Sequence, residues 1–296
     1  MERHTVMHIP VCSRIGLFLA ASFISNISLS AIANENKIVS KVFGAPEISL
    51  VSHRAIYEFS LGHAADSTGI IGATGRMVFE VLGSACEGYV TRFRFVNAIQ
   101  FSEIGEQITD LRSSTFEDAG GKEFHFTSGM YSGDQLDTET KGVALRKSDN
   151  IEITLEKPRK KSHILDENVL FPTQLFIQLI NLGKNRKQIF EAQIYDGADN
   201  GNTVYNVSAH LANPINPQKT TGLVKSGLLQ DVVGWPISVA YFDVNSGQGE
   251  TLPIYRQSSI LFENGISINP VFDYGHFSLV GKLAKLTPLE TDPCDN

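Results

Sequence analysis

Hydrophobic and polar residues alternate through most of this 296-residue chain, and only one segment departs clearly from that period. The segment Leu170–Arg186 instead carries apolar residues at helical spacing, namely Leu175, Phe176, Leu179, Ile180 and Leu182. Pro172 suits the first turn of a helix, and Gly183 suits a C-terminal cap. Such an apolar helix must bury its broad face, and only strands surround it here. The sequence therefore predicts one helix, at about residues 171–183, packed against or inside a curved antiparallel sheet.

Strands with turns between them are predicted on both sides of the helix. In Ala55–Leu61 and in Met77–Val81, apolar side chains alternate with charged or small polar ones. The segment Gly62–Gly72 is predicted as a polar turn region, and Asn264-Gly265 is typical of a hairpin turn. The regular spacing of these strands predicts an all-β fold with one large antiparallel sheet, either a curved meander or an open barrel.

The N-terminus has the pattern of a secretory signal peptide. Arg3 and Arg14 precede the apolar run Ile15–Ile24, and a stretch of small residues ends in an A-x-A pattern at Ala33. We therefore predict a signal peptide over residues 1–33, cleavage before Asn34 and export of the remaining chain. The alternative is an uncleaved membrane anchor, for which the apolar run is short.

Residues 34–296 are predicted to form a single domain, with a division after the helix as the alternative. Removal of residues 1–33 leaves 23 Lys and Arg against 31 Asp and Glu, a net charge of −8. An acidic chain is poorly suited to neutralise phosphates, which argues against a nucleic-acid partner. Because no later stretch reaches transmembrane length, no integral membrane segment is predicted after the signal peptide. The sequence leads to no prediction of the oligomeric state.

Two cysteines, Cys86 and Cys294, remain after residue 33. In an exported protein such a pair is expected to form a disulfide. This bridge ties the C-terminal tail, a part of a chain that tends to fray, to an early strand. A redox pair and a metal site are the alternatives, but the chain has no C-x-x-C motif and no cluster of further ligands beside either cysteine.

The sequence lacks the motifs of common enzyme classes. The G-x-S-x-G pattern of serine hydrolases does not occur, and the histidines lack the H-E-x-x-H spacing of zinc proteases. His63 and Asp66 share a predicted loop, but two ligands without partners make a weak metal site. We therefore predict no catalytic residue, no metal and no cofactor. The alternative is a hydrolase whose site is assembled from dispersed residues, for which His53, Asp273 and His276 are the candidates.

Three further segments have both a functional and a structural interpretation. The basic run Lys157–Lys161 suits anionic lipid headgroups or phosphate, but a solvated connection just before the helix is favoured. Trp235-Pro236 and Tyr241-Phe242 suit the lining of an apolar ligand cavity, but core packing or a sheet edge is favoured. Asp273–His276 is favoured as a glycine-containing turn over a polar site. The ligand-binding residues therefore stay unassigned from the sequence.

Several segments, taken in order, resemble the EipB-like family of alphaproteobacterial cell-envelope integrity proteins. The matching segments are His53–Tyr57, Thr74–Glu80, Cys86–Tyr89, Leu170–Thr173, Asp196-Gly197, Tyr241-Phe242, Glu263–Gly265, Asp273–Gly275 and Cys294. The resemblance implies a periplasmic protein whose long antiparallel sheet winds into a spiral around a helix, with a disulfide that matches Cys86–Cys294. It also implies a part in keeping the envelope intact under stress, and it implies no known reaction. By fold-level analogy alone, such a curved sheet is similar to proteins that bind lipoprotein acyl chains.

The sequence and the resemblance together favour a function in envelope integrity that depends on binding rather than on catalysis. The first hypothesis is a periplasmic factor that binds or scaffolds envelope proteins or lipids, through an apolar groove between helix and sheet. A lipid or lipoprotein carrier and the envelope hydrolase are the alternatives. A structural module of a larger complex is a third interpretation, and it predicts an exposed apolar patch or a free sheet edge.

Overall fold

A computed structural model describes residues 48–215, 227–244, 252–291 and residue 294, so the predicted signal peptide and its cleavage site at Ala33 and Asn34 lie outside the described residues. Fourteen strands form one sheet, and the helix α1 (Pro172–Lys184) lies between β8 and β9 in the chain. The strands are β1 (His53–Ala64), β2 (Ile70–Ser84), β3 (Gly88–Phe101), β4 (Gly105–Asp118), β5 (Glu123–Ser132), β6 (Gln135–Arg146), β7 (Asn150–Lys157), β8 (Lys161–Asp166), β9 (Ile189–Ile194), β10 (Tyr205–Leu211), β11 (Gly234–Asp243), β12 (Tyr255–Phe262), β13 (Ser267–Asp273) and β14 (Phe277–Pro288).

The sheet is an antiparallel meander in which the first and last strands are neighbours. Each strand pairs with the next one in the chain except across the helix, and β1 pairs with β14. The spatial order therefore runs from β8 through β1 and β14 to β9, and β8 and β9 are the two edges. Because these edges do not pair with each other, the sheet is open. The predicted all-β fold, a curved antiparallel sheet with one helix at its centre, is confirmed.

Helix α1 lies on the inner face of the sheet. Its buried residues Leu175, Leu179, Ile180 and Leu182 form one hydrophobic cluster with inward-facing side chains of β2, β3 and β9–β12. Burial of each such side chain contributes about 1.5–3 kcal/mol, so packing on the sheet holds this short helix in place. Among the described residues, no helix has the length and hydrophobicity needed to span a bilayer.

Gly183 has a different role from the predicted C-terminal cap. The helix continues past it, and Arg186, with a φ of 55°, adopts the left-handed conformation that ends the helix. The N–H of Arg186 donates to the carbonyl oxygen of Gly183, and the N–H of Lys187 donates to that of Leu182. A Cβ atom on Gly183 would lie 2.6 Å from the ring of Trp235. This glycine therefore allows the helix to approach β11 closely.

Strand β8 is the element that the sequence pattern does not predict. The basic run Lys157–Lys161 forms the end of β7, the β7–β8 turn and the start of β8, so its predicted position just before the helix is wrong. The strand is short, and its inward face carries only two apolar or aromatic residues. These are His163, which pairs with the buried Ile153, and Leu165, which pairs with the buried Ile151. The turn region predicted over Gly62–Gly72 is also partly strand, because β1 stays paired with β14 as far as Ala64 and β2 pairs with β3 from Ile70 onward.

Phenylalanine side chains fill the inner face where helix α1 does not reach. The ring centroid of Phe272 on β13 lies 5.2 Å from that of Phe59 on β1 and 5.9 Å from that of Phe95 on β3. Four strand spacings separate β13 from β3 in the sheet, which is about 19 Å along a flat surface. The two strands are in contact through their side chains only because the sheet curls tightly at this point.

Candidate functional site

The three residues of the hydrolase alternative are not brought together. His53 begins β1, whereas the N–H of Ala65, just past the other end of β1, donates to the carbonyl oxygen of His276 at 2.8 Å. The length of β1 therefore separates the two histidines, a distance of about 35 Å. Asp273 lies in the same turn region as His276. His53 itself is buried, and burial lowers the pKa of its ring. This candidate site is not formed.

The other candidate site residues take part in local structure or in the core. The Nδ1 atom of His63 lies 2.7 Å from the hydroxyl of Ser278, and Asp66 begins a short 3₁₀ turn. In the part of the chain that the structure describes, His, Cys, Asp and Glu side chains form no cluster able to hold a metal ion. Trp235 and Tyr241 are buried in the cluster around helix α1, in agreement with their core interpretation. The structure links Cys86, between β2 and β3, to Cys294 as a disulfide whose Cα atoms are 5.9 Å apart.

The N-terminus of helix α1 is anchored by a buried carboxylate from the sheet. Phe171, at the N-cap position, has no side-chain acceptor for the first helical N–H groups. Glu117 on β4 takes that role, because it accepts hydrogen bonds from the N–H of Thr173 at 2.6 Å and of Gln174 at 3.3 Å. Arg146 lies beside this junction and donates to the carbonyl of Val169 and to the side chain of Gln174. Glu117 and Arg146 therefore fix the helix within the sheet.

Burial raises the pKa of Glu117 to about 7, although the helix N–H groups and the charge of Arg146 act in the opposite direction. The same burial lowers the pKa of Arg146. Glu117 is an acidic residue on the inward face of β4, and few of its neighbours in the sequence are apolar. Only the pairing of the helix with β4 reveals its function, and the sequence pattern gave no sign of it.

We expect Glu117→Ala to lower the free energy of unfolding by about 3 kcal/mol, because two helix N–H groups lose their acceptor and Arg146 loses its counter-charge. Glu117→Gln keeps an acceptor oxygen and is expected to cost less. Urea unfolding at pH 7 measures both, with Glu58→Ala on the exposed outer face as the control. An equal, small loss for Glu117→Ala and Glu58→Ala would show that Glu117 does not anchor the helix.

The raised pKa of Glu117 also makes stability depend on pH. Between the ordinary value of 4.5 and about 7, the folded chain holds a proton on Glu117 that the unfolded chain has lost. Stability from this group is therefore complete below pH 4.5 and falls as the pH rises through about 7. Relative to Glu117→Gln, the wild-type chain should lose about 3 kcal/mol over that interval. Parallel stability curves for the two chains would contradict this.

The inner face of β3–β6 carries a row of accessible side chains that neither the helix nor the phenylalanines cover. We call this surface the inner trough, and it consists of Phe93, Leu111, Ser113, Ser128, Met130 and Thr138, which are paired neighbours across the four strands. Thr138 is exposed and the others are half-buried. Leu111 and Met130 belong to none of the three hydrophobic clusters formed by the described buried residues.

The inner trough has a wall on each side. On one side lies the phenylalanine group, since Leu111 pairs with Phe95. On the other side, the segment after β9 crosses the inner face of β6 and β7, where a Cβ on Gly201 would lie 2.4 Å from Leu155 and 3.3 Å from Thr140. The trough is thus an open strip of three apolar and three hydroxyl-bearing side chains, set between two filled parts of the inner face.

A row of tyrosines lies toward the same end of the sheet on the opposite strands. The rings of Tyr241 and Tyr255 stack with centroids 4.3 Å apart, and Tyr205 and Tyr274 extend the row at 6.3 Å on either side. Burial raises the pKa of the nearby Asp196 to about 6 and that of Tyr241 to about 12. Tyr205 and Tyr241 are buried and the hydroxyl of Tyr205 donates to Asp199, so this row belongs to the packed part of the inner face.

Comparisons with known proteins agree with this architecture. The EipB-like family model matches residues 44–290. The "Cell envelope integrity protein EipB" of Brucella abortus (strain 2308) is 36% identical over 251 residues, which cover 83% of this chain and 87% of that protein. A crystal structure described as a "Beta-barrel-like Protein of Domain of Unknown Function DUF1849 from Brucella abortus" matches with a TM-score of 0.75 and 34% identity, over 82% of this chain and all of the other. This chain belongs to the EipB-like family.

Proposed function

We propose that this chain maintains the integrity of the cell envelope from the periplasm, and that it does so by binding the apolar chain of an envelope lipid or acylated protein in the inner trough. The name of the Brucella abortus relative supports the envelope role. The observation that carries the binding role is the trough itself, in which Leu111 and Met130 face inward and stay accessible. A folded chain that only needed a core would cover them.

The shape and chemistry of the trough favour an extended apolar ligand. Its residues cross four strands, which gives a length of about 14 Å, comparable with an acyl chain rather than with a compact polar molecule. Apolar side chains provide the affinity, while the few hydroxyl groups of Ser113 and Ser128 orient the ligand. The apolar face of helix α1, by contrast, is buried against the sheet, so the proposal assigns binding to the trough and not to a groove along the helix.

Binding of a fluorescent fatty acid to the purified protein tests this proposal. The substitution Leu111→Asp places a charge in the trough and should weaken binding of the probe at least tenfold, without unfolding the half-buried site. Ile108→Asp is the matched control, because Ile108 lies on the same strand, faces outward and is 47% exposed. Equal binding by both variants, or no binding by the wild-type chain, would contradict the proposal.

A second candidate function is a scaffold for envelope proteins, and the free edge of the sheet supports it. Among the residues that the structure describes, strand β8 pairs only with β7, and its Ile164 is 67% exposed. An unpaired edge is a template for an added strand from a partner. A proline substitution, Ile164→Pro, should abolish capture of such a partner while leaving fatty-acid binding unchanged, and this separates the two functions.

A further inference from the structure

The outer face of five adjacent strands carries an excess of positive charge. Paired residues on this face form three neighbouring rows, each listed here in the strand order β14, β1, β2, β3 and β4. The first row is Thr287, Arg54, Glu80, Arg92 and Ser114, and the second is Lys285, Ile56, Val78, Arg94 and Arg112. The third row is Lys282, Glu58, Arg76, Val96 and Asp110. We call these residues the outer basic face. Seven of them are Lys or Arg and three are Asp or Glu, a formal charge of +4, whereas the whole chain carries −7.

Two of its arginines are held by one buried carboxylate. Arg94 donates to Asp110 at 2.8 Å, and Arg112 donates to the same carboxylate at 2.6 Å. The side chain of Asp110 is 9% exposed, whereas those of the two arginines are 56% and 49% exposed. Arg112 also lies over the ring of Tyr131, 4.2 Å from its centroid. One carboxylate therefore positions two guanidinium groups and neutralises only one of them.

Glu80, two rows from Asp110, repeats this arrangement. It forms ion pairs with Arg54 and, at 3.7 Å, with Arg92, and its side chain is 12% exposed. Four arginines are thus held in fixed positions on the surface while most of their N–H groups stay open to solvent. Fixing these long side chains in advance removes part of the entropy cost of binding an anion. Neither the fold nor the inner trough needs these exposed charges.

We propose that the outer basic face docks the protein on a membrane surface that contains anionic phospholipids. Five of its seven cations are arginines, whose planar guanidinium groups bind phosphate oxygens in pairs. The face extends over about 19 Å across the strands and about 14 Å along them. It lies on the convex side of the curled sheet, so it fits a broad anionic surface rather than a small ligand that needs a concave site.

The charge of the rest of the chain gives this docking a direction. Since the whole chain is acidic, an anionic surface repels it in most orientations and attracts it through this face. The inner face, with its trough, then lies on the side of the sheet away from the bilayer, and the openings at the ends of the strands stay free. The proposal is independent of the inner trough, because the two surfaces lie on opposite faces of the same strands.

Sedimentation of the full-length chain with lipid vesicles tests the proposal. The probes are vesicles of phosphatidylcholine alone and vesicles in which a third of the lipid is phosphatidylglycerol. The test variant combines Arg76→Glu, Lys282→Glu and Lys285→Glu, three exposed residues that do not contact Glu80 or Asp110. The matched control reverses the same number of charges in the β7–β8 turn, by Lys157→Glu, Arg159→Glu and Lys160→Glu.

We expect the wild-type chain and the turn variant to sediment with the anionic vesicles at low salt, and not with phosphatidylcholine alone. The face variant should lose about tenfold or more of this binding, and added salt should weaken the wild-type binding in the same way. Leu111→Asp should bind vesicles normally, so a failure of the inner trough is distinguishable from a failure of the face. Thermal unfolding confirms that each variant is folded.

Three results would overturn membrane docking by this face. The first is a wild-type chain that stays in the supernatant with both kinds of vesicle. The second is binding that the turn variant loses and the face variant keeps. The third is a wild-type chain that ignores vesicles but is retained by immobilised polyglutamate through the same arginines, since the face then serves an acidic protein partner.

Discussion

The substitution Ile180→Asp is expected to prevent the chain from folding. Ile180 is fully buried, with no exposed surface, in the cluster that joins helix α1 to β9–β12. Its aspartate replacement must be protonated to stay in the apolar core, at a cost of about 4 kcal/mol at pH 7, and it loses about 2–5 kcal/mol of isoleucine packing. The sum is comparable with the 5–15 kcal/mol by which a typical domain is stable. Soluble yield and the loss of a cooperative thermal transition measure the effect.

A charge elsewhere on the same helix gives the matched control. Gln178 is half-buried and belongs to none of the hydrophobic clusters, so Gln178→Asp adds the same side chain without placing it in the core. We expect that variant to fold with a loss of no more than about 1 kcal/mol. A well-folded Ile180→Asp chain would mean that this helix face is accessible and is itself a docking surface.

Loss of the bridge between Cys86 and Cys294 has the second largest expected effect. The two residues are 208 positions apart, and in the chain-entropy model a bridge over a loop of that length stabilises the folded state by about 5 kcal/mol. For a chain of this size, Cys86→Ser should lower the melting temperature by about 10 °C or more. Cys294→Ser should have the same effect, because each variant removes the same bond.

Reductant provides the control for this prediction. It should lower the melting temperature of the wild-type chain to that of the variants and leave both variants unchanged. Both cysteines are exposed, so the reductant has access to the bond without unfolding of the protein. Free thiols in the oxidised wild-type chain, together with a melting temperature equal to that of Cys86→Ser, would contradict the bridge.

Those parts of the fold that depend on local sequence period were predictable. Helix α1 differs from its surroundings in period, and Pro172 marks its start, so its existence and approximate bounds follow from the chain alone. Gly183 was misassigned, because close packing on Trp235 and a helix cap both require a residue without a side chain. Strand β8 is not predictable from the sequence, because two inward-facing residues are too few to show an alternating hydrophobic pattern.

The candidate surfaces depend on strand register, which the sequence does not display. The sequence pattern places Arg94 and Arg112 on the polar faces of two strands. Only the pairing of β3 with β4 brings both arginines to Asp110. In the same way, Leu111 has the pattern of an ordinary core residue. It is accessible because helix α1 covers another part of the inner face, and a tertiary arrangement of this kind leaves no local signal.

Native mass spectrometry of the protein purified from its own cells, followed by extraction of bound lipid, tests the proposed function most directly. We expect a bound species with an acyl chain, present in the wild-type chain and in Ile108→Asp and absent from Leu111→Asp. An unliganded mass for the wild-type chain, together with no binding of the fatty-acid probe to the same preparation, would contradict binding in the inner trough.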